Sequence, residues 1–432
     1  MNKIYRALFT ITVIALTLMG IRPTAAQAET KLVVWDIHPT SPQSDVINKL
    51  NAEFEANHPG VKIERTAYTF EDLKTVITLG MSSADGPDVS MVNQGFPDMG
   101  AMVAADLLLP LNDYATKFGW DKRWSPGLLA RNSFSADGKE FGTGNLYGVS
   151  TTAEIGGVFY HKDMFKEQGL EVPKTFSEFQ AILDKFSSAG IRPFAFGPLA
   201  GSHSLHYFFT IQHSFSNVQW LDDFIYRRNN ARFDTPENLE AAKMMQDWAS
   251  KYFPEDFTGL ERETARSLFY NKEFPMMIDG SWMGGNMIEN KLGDEVGFFL
   301  MPRHTDGETP LAFGGWSLAW AIRKTSANAD LAAEYLEWQT GTRAAELWAE
   351  TGDVPAVGLK DRSAIKYSVH NDILNAWEQA NATNGVGHYL DWASPTIYDT
   401  MKADLELLNA GKMTPEEFTA DIQKDYENNG KK

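Results

Sequence analysis

From residue 29 onward the chain alternates short apolar runs with amphipathic stretches. Apolar residues between Val46 and Phe54 recur at the spacing of one helix face, and His58-Pro59-Gly60 predicts the end of that helix. Before and after this helix, apolar or alternating runs predict strands over residues 31–35, 61–67 and 87–92. Strands that alternate with helices indicate an α/β layer on a mainly parallel sheet.

The same alternation restarts after residue 150. Thr175 and Glu178 have the spacing of a capping box and predict a helix start, while Gly190 predicts the end of that helix. Further strands are predicted over residues 192–196, 275–278, 296–300 and 316–322. The pattern therefore predicts the α/β fold class, with two α/β lobes in one chain.

The end of the chain has a helical pattern. An apolar stripe from Ile397 to Leu408 predicts one helix, which Gly411 ends. Thr414-Pro415-Glu416-Glu417 predicts the start of a last helix, because it combines a capping residue, a first-turn proline and two acids at the positive end of the helix dipole.

The first 28 residues have the features of a cleaved export signal. Lys3 and Arg6 precede an uncharged apolar run over residues 7–21, and Ala26-Gln27-Ala28 resembles a cleavage site. We therefore expect an exported mature chain that begins at Glu29. The sequence contains no cysteine, so neither a lipid anchor at a new N-terminal cysteine nor a disulfide is expected.

The charge of the chain disfavours two classes of partner. The net charge is −18, and removal of Lys3, Arg6 and Arg22 with the signal makes it −21. Such a surface repels the phosphates of nucleic acid and the head groups of anionic lipids. We therefore expect neither nucleic-acid binding nor direct membrane insertion.

Motifs of catalytic and cofactor sites are weak or absent in the sequence. There is no P-loop, and Gly142-Thr143-Gly144 lacks the third glycine of a dinucleotide site. The segment Gly315-Trp316-Ser317-Leu318-Ala319 lies within an apolar run rather than at the strand-to-helix turn of a hydrolase nucleophile. His203, His206 and His213 lack a clear metal-ligand spacing. The sequence therefore predicts no catalytic residue, no metal and no cofactor.

A series of short motifs resembles one protein family, the bacterial extracellular solute-binding proteins of the sugar-binding type. Their order and spacing carry the resemblance, and three positions depart from the usual pattern, namely Ser150, His161 and Phe176. The matching segments are Gly86-Pro87-Asp88-Val89, residues 108–111, 146–149, 158–165, 173–176, 276–282, 314–316 and 354–356.

This resemblance implies a non-enzymatic, substrate-binding subunit of an ATP-driven importer. Members of the family have two lobes joined by crossing hinge strands, and the ligand lies in the cleft between the lobes. We expect one lobe to comprise residues 29–149 and 310–354, and the other residues 150–309 and 355–432. The protein is expected to be a monomer that delivers a neutral carbohydrate or polyol to a membrane permease. A secreted carbohydrate-active hydrolase, or a binder of a charged solute such as a polyamine or a phosphorylated polyol, remains the alternative.

A carbohydrate site needs fixed polar groups for hydroxyls and flat aromatic surface for C–H faces. Glu154 lies seven residues before His161, where a sugar-binding member of the family has a ligand-contacting Glu, so we expect it to accept hydroxyl bonds at the hinge. A solvated strand-edge acid is the alternative. Trp282 follows a predicted strand where the family often has a sugar-stacking Trp, although a core Trp would give the same sequence.

The remaining candidates rest on their places at strand ends or near glycines. Strand ends face the crevice in open α/β folds, although loop capping or core packing would suit most of these residues equally. Trp35 is assigned to packing, and Asp353 to capping at a crossover between the lobes. The other proposed ligand contacts are His38, Asn93, Gln94, Asp279, Gly315, Trp316 and Trp392.

Overall fold

The structure is a computed structural model that describes residues 29–199, 202–359, 361–363 and 365–429. The predicted export signal lies outside these residues. The strands are β1 (Thr30–Asp36), β2 (Val61–Ala67), β3 (Val89–Val92), β4 (Ser133–Phe134), β5 (Asn145–Leu146), β6 (Thr152–His161), β7 (Met276–Gly280), β8 (Val296–Phe299), β9 (Ala312–Trp316), β10 (Ala319–Ile322), β11 (Val354–Pro355) and β12 (Val386–Gly387).

Helices cover most of the remaining described chain. They are α1 (Gln43–Asn57), α2 (Phe70–Ser82), α3 (Ala101–Ala104), α4 (Asn112–Phe118), α5 (Trp120–Arg123), α6 (Pro126–Ala130), α7 (Lys162–Glu167), α8 (Phe176–Ser188), α9 (His203–Phe215), α10 (Val218–Ile225), α11 (Pro236–Lys251), α12 (Arg262–Tyr270), α13 (Gly284–Glu289), α14 (Ala329–Gln339), α15 (Thr342–Glu350), α16 (Ser368–Ala382), α17 (Ile397–Asn409) and α18 (Pro415–Asn428). Single turns of 3₁₀ or π helix lie at Phe96–Gly100, Phe257–Gly259, Ser281–Met283 and Leu390–Trp392.

The first sheet has the strand order β2-β1-β3-β10. Its first three strands are parallel, and β10 joins them antiparallel through the pair Trp320 and Met91. Helix α1 buries Val46, Ile47, Leu50 and Phe54, the residues that predicted its apolar face. This sheet and its helices confirm the α/β layer predicted for the first part of the chain.

Strand β6 is the centre of the second sheet and runs from one lobe into the other. Its first residues pair with β9 and β11, and its last residues pair with β7 and β8, all antiparallel. Two glycines in the middle of β6 permit this dense packing. A Cβ at Gly156 would collide with the ring of Phe313, and one at Gly157 with the ring of Phe298. The prediction of two α/β lobes joined by crossing strands is confirmed, while the residue boundaries of the lobes stay a prediction.

The strand predicted over residues 316–322 is in fact two strands. Trp316 ends β9 in the second sheet, and β10 begins at Ala319 in the first sheet. At Ser317, between the strands, the backbone carbonyl accepts hydrogen bonds from Gln94 and Ser150, each 2.7 Å long. The apolar run therefore marks a crossing between sheets, which hydrophobic periodicity does not distinguish from one continuous strand.

Two other local predictions need correction. The strand predicted over residues 192–196 is only an isolated bridge between Phe194 and Met276, and Pro193 lacks the N–H that a regular ladder would need. At α8, Thr175 accepts from the Glu178 amide at 3.2 Å, but the Glu178 carboxylate accepts from Lys174 instead of Thr175. The capping box at Thr175 is therefore only half formed.

The predicted end of the chain is confirmed. Helix α17 buries Ile397, Met401, Leu405 and Leu408, and Gly411 follows it with a φ of +66°. Thr414 and Glu417 form a complete capping box at the start of α18. No helix within the described ranges is long and apolar enough to cross a membrane.

Candidate functional site

A cavity of about 290 Å³ opens between the two sheets. Its first wall comprises the carboxyl ends of β1 and β3 and the starts of α1 and α2, and β6 contributes its floor. The opposite wall comprises α9, α12 and the turn after β7, and the segment from Tyr389 to Tyr398 closes one side. Side chains from both halves of the chain therefore meet in one interlobe cleft.

Glu154 lies on the floor of the cleft, where β6 crosses between the lobes. The hydroxyl of Tyr389 donates a 2.6 Å hydrogen bond to Oε1 of Glu154. Burial raises the pKa of Glu154 to about 7, and the negative charge of Asp353 also raises it, while the Tyr389 bond acts in the opposite direction. Glu154 therefore lies on the crossing strand and lines the cleft, while its role as a ligand contact at a hinge stays a prediction.

Asp353 also lines the cleft, immediately before β11. Its Oδ2 accepts hydrogen bonds from the hydroxyl of Thr351 at 2.6 Å and from the side chain of Gln43 at 3.3 Å. Burial raises the pKa of Asp353 to about 6. Both donors are side chains, so neither bond is the backbone cap expected from the sequence, and Asp353 forms part of the cleft wall.

Trp282 presents a partly exposed indole to the cleft directly after β7. The indole covers Gly280, because a Cβ at Gly280 would overlap its ring. On its other side the imidazole of His206 lies 5.2 Å away, measured between ring centroids. Glycine at position 280 therefore lets the indole lie flat against the strand end, leaving aromatic surface open to the cavity.

A buried ion pair lies behind this wall. Two nitrogens of Arg266, Nε and Nη2, donate to Oδ2 of Asp279 at 2.9 and 2.8 Å. Burial alone would raise the pKa of Asp279, but the charge of Arg266, together with His206 and His203, holds that pKa well below its usual value. Arg262, one helical turn before Arg266, also lines the cleft and donates to Ser202 at 2.9 Å.

The segment after β12 contributes three further groups to the cleft. Trp392 packs against Tyr389 with 5.0 Å between ring centroids, and it approaches Gly95 so closely that a Cβ there would overlap it. Asp391 and Tyr398 both line the cavity. Burial raises the pKa of Asp391 to about 6.

On the wall of the first sheet, His38 and Asn93 line the cleft at the ends of β1 and β3. Burial lowers the pKa of His38 to about 4, so its imidazole is neutral near pH 7. Asn93 donates to Asp98 at 2.8 Å. The side chain of Asn93 therefore orders its loop and lines the cavity at the same time.

Four predicted ligand contacts do not line the cleft. Trp316 is fully buried and packs edge-on against Trp124, with 5.0 Å between ring centroids. Gln94 is also buried and donates to Ser317. Gly315 lies against the guanidinium of Arg131, and Asp279 is covered by Arg266. These four residues lie behind the side chains that line the cleft. Their positions at strand ends in the sequence did not show whether each side chain faces the cavity or the core.

Sequence reasoning missed several groups that line the cleft. Tyr389, Asp391 and Tyr398 come from the end of the chain, far from β6 in sequence. Arg262 and Arg266 share a helix face with the spacing i, i+4, which is the one signal that the sequence contained for them. His206 was considered only as a poor metal ligand, yet its ring lines the cavity.

Comparison with known proteins agrees with this architecture. Residues 39–346 match the sequence profile of the family described as bacterial extracellular solute-binding protein. A multiple sugar-binding protein of Streptococcus mutans is 22% identical over 320 residues, 72% of this chain and 71% of that protein. A mannitol-binding protein of Pseudomonas aeruginosa is 22% identical over 321 residues, 72% of this chain and 69% of that protein.

A solved structure shows the same fold. The chain is similar to a chitin oligosaccharide binding protein with a TM-score of 0.80 at 20% identity, over 93% of this chain and 99% of that chain. At this identity the likeness shows the fold and not the ligand. The two-lobe fold, the interlobe cleft and the match over residues 39–346 together show that the chain belongs to the bacterial extracellular solute-binding protein family.

Proposed function

We propose that this protein captures a hydroxyl-rich solute, a carbohydrate or polyol, and delivers it to the permease of an ABC importer. The observation that carries the proposal is the composition of the cleft. Glu154 lies on its floor, Trp282 forms one wall, and Tyr389 links the two halves of the chain around Glu154. Carboxylates and tyrosine hydroxyls suit hydroxyl groups, and indole surface suits the C–H faces of a sugar.

The relatives support this class of ligand. The names of the related proteins mention sugars and mannitol, which are molecules with several adjacent hydroxyls. The sequence predicted a neutral ligand of this class, and the aromatic walls are consistent with that prediction. The proposed ligand contacts are therefore the predicted residues that line the cleft, namely His38, Asn93, Glu154, Trp282 and Trp392.

We further propose that the protein binds without catalysis, acts as a periplasmic monomer and exchanges ligand by hinge closure around β6. Closure about a crossing strand buries the solute and creates the surface that a permease would recognise. A hydrolase would convert the bound solute. Incubation of the protein with each bound oligosaccharide, followed by chromatography, is expected to return the oligosaccharide unchanged.

A thermal-shift screen with mono-, di- and oligosaccharides and polyols tests the proposed ligand class. A ligand that binds only the folded protein stabilises it by mass action and so raises its melting temperature. At a free ligand concentration of one hundred times Kd, the free energy of unfolding rises by about 2.7 kcal/mol. We expect at least one compound to raise the melting temperature in the wild type and to raise it clearly less in Trp282→Ala. A folded protein whose melting temperature no compound raises would contradict the proposal.

A further inference from the structure

The register of β6 and β11 brings two carboxyl groups together on the floor of the cleft. Val354 pairs with Ala153 and Pro355 with Thr152, in an antiparallel arrangement. Extended by one residue beyond β11, this register puts Asp353 opposite Glu154, and the charge of Asp353 acts on the Glu154 carboxyl group. Side chains directly opposite each other on antiparallel strands have Cβ atoms about 4.5–5.5 Å apart.

One oxygen of each carboxyl group is held by the protein, and the other is not. Tyr389 donates to Oε1 of Glu154, while Thr351 and Gln43 donate to Oδ2 of Asp353. Among the described residues no donor contacts Oε2 of Glu154 or Oδ1 of Asp353. The pair therefore presents two acceptors in the cavity that a bound molecule can use.

The pair also lacks a positive partner. Within the described part of the chain, neither Glu154 nor Asp353 forms an ion pair with a lysine or an arginine. The two arginines of the cleft are engaged elsewhere, since Arg266 binds Asp279, and Arg262 binds Ser202 and Glu263. Two like charges opposite each other in an enclosed site are unfavourable unless a cation or a proton joins them.

Two further polar groups of residues that line the cleft lack hydrogen-bond partners. Tyr398 is 7% exposed, lines the cleft, and has a hydroxyl without a hydrogen-bond partner among the described residues. Asp391, also 7% exposed, has an Oδ1 that likewise lacks a partner among these residues. Buried polar groups of this kind are normally satisfied, so the two groups leave hydrogen-bonding capacity unused at the wall of the cleft.

We propose that the solute carries a protonated amine, which lies between Glu154 and Asp353 as their counter-cation. An ammonium group supplies three donors and one positive charge, which matches two free acceptors without a positive partner. The inference rests on the proposed function and refines it, because the ligand becomes an amino sugar or amino polyol instead of a neutral one. The strongly negative net charge of the protein would favour the approach of such a cation.

Calorimetric titration with matched sugars tests the proposal. The probes are glucosamine, galactosamine and mannosamine, and the β-1,4-linked dimer of glucosamine, each compared with its parent hydroxyl sugar and its N-acetylated form. The amine is expected to bind about tenfold or more tighter than both counterparts, because a charge-assisted bond is stronger than a neutral one. The parent hydroxyl sugar is close to the amine in shape and lacks its charge, so it controls for shape, while N-acetylation keeps the nitrogen and removes its charge.

Two variants and a control test whether the carboxyl pair causes the tighter binding of the amine. Glu154→Gln and Asp353→Asn keep the size of each side chain and are expected to reduce the preference for the amine to threefold or less. Glu346→Gln on α15, whose side chain is 60% exposed, makes the same change of charge outside the cleft. This control is expected to leave the preference unchanged, and thermal melting checks that all three variants are folded.

Proton release gives an independent readout in wild-type protein. With pKa values of about 7 for Glu154 and about 6 for Asp353, the free pair holds about one proton at pH 6.5. Binding of an ammonium group expels that proton, so the heat of binding changes with the ionisation enthalpy of the buffer. The other titratable groups that line the same cleft are His38, His206, Arg262, Arg266, Tyr389, Asp391 and Tyr398, and Gln43 and Thr351 donate to Asp353.

The outcomes distinguish this inference from the proposed function. Tighter binding of the amine, lost in Glu154→Gln, supports both. If a parent sugar binds as tightly as its amine or more tightly, the proposal of an amine ligand is wrong, while the proposal of carbohydrate capture stands. Binding of no member of any set by a folded protein overturns the carbohydrate assignment together with the amine.

Discussion

The hydroxyl of Tyr389 donates a 2.6 Å hydrogen bond to the carboxyl group of Glu154, across 235 positions of sequence. Glu154 belongs to the strand that crosses between the lobes, and Tyr389 belongs to the segment that closes one side of the cleft. The bond fixes one oxygen of Glu154 and leaves the other open to the cavity. A residue that sequence reasoning identified is thus oriented by one that it missed.

The raised pKa of Glu154 predicts that the ligand-free protein loses stability as the pH rises. The folded pKa is about 7 against a usual value of 4.5. Between these values the folded state holds a proton that the unfolded state has released, so the free energy of unfolding falls as the pH rises from about 4.5 to about 7. Glu154→Gln removes this penalty, and chemical denaturation is expected to show a variant that is more stable than wild type at pH 8 by up to about 3 kcal/mol.

At pH 4 the same two proteins are expected to have equal stability, because Glu154 is then protonated in both states. The side-chain amide introduced by Glu154→Gln keeps an oxygen that can accept from Tyr389, so the comparison isolates charge. A Glu154→Gln variant that is less stable than wild type at pH 8 would show that the carboxylate has a favourable partner and is ionised at little cost.

Trp282 is expected to contribute most of the apolar contact with the ligand. Truncation to alanine removes the indole surface that covers Gly280 and faces the cavity, and affinity should fall about tenfold or more. Trp220→Phe is a suitable control, because its indole lies outside the cleft and donates to Arg232. Isothermal titration of both variants with a ligand from the thermal-shift screen measures this difference. Equal affinities of Trp282→Ala and Trp220→Phe would show that Trp282 does not contact the ligand.

Fluorescence separates Trp282 from the other tryptophans. Ligand is expected to quench wild-type emission, and Trp282→Phe should lose part of that change. Trp316→Phe should keep it, since Trp316 is fully buried against Trp124. The opposite pattern would mean that Trp316 moves on binding and that Trp282 does not contact the ligand.

Arg131 is expected to stabilise the junction of β9 and β12 through several hydrogen bonds and not through its charge alone. Its guanidinium donates to the backbone carbonyls of Gly314, Val386 and Gly387. Methionine at this position would leave these buried carbonyls without donors, and the free energy of unfolding should fall by about 2–4 kcal/mol. Arg131→Lys keeps the positive charge but lacks the two guanidinium nitrogens that donate to these carbonyls. In urea denaturation it should therefore recover only part of the free energy of unfolding that Arg131→Met loses.

Full recovery by Arg131→Lys would show that charge, and not the geometry of three simultaneous hydrogen bonds, stabilises the junction. Because Arg131 does not line the cleft, both variants should bind ligand at temperatures where they remain folded.

The lobes were predictable because their elements follow local patterns. The alternation of strand and helix indicated the first sheet, and Thr414 and Glu417 indicated the start of the last helix. The break between Trp316 and Ala319 was not predictable, since both sides of it are apolar and buried. Which sheet each side joins is a tertiary matter that hydrophobic periodicity does not encode.

The cleft was only partly predictable for a related reason. Glu154 and Trp282 lie beside motifs that the family shares, so the resemblance located them. Trp316 and Trp392 were both proposed as ligand contacts from the sequence, yet only Trp392 lines the cavity. Asp353 was assigned to capping, and only the register of β6 and β11 shows that it lies opposite Glu154.

Capture of a solute between the lobes is decided by a crystal structure of the protein with a ligand from the thermal-shift screen. We expect one molecule in the interlobe cleft, with a ring face against Trp282 and a polar group at Glu154. A ligand bound on the outer surface of either lobe, with the cleft occupied only by water, would contradict interlobe capture.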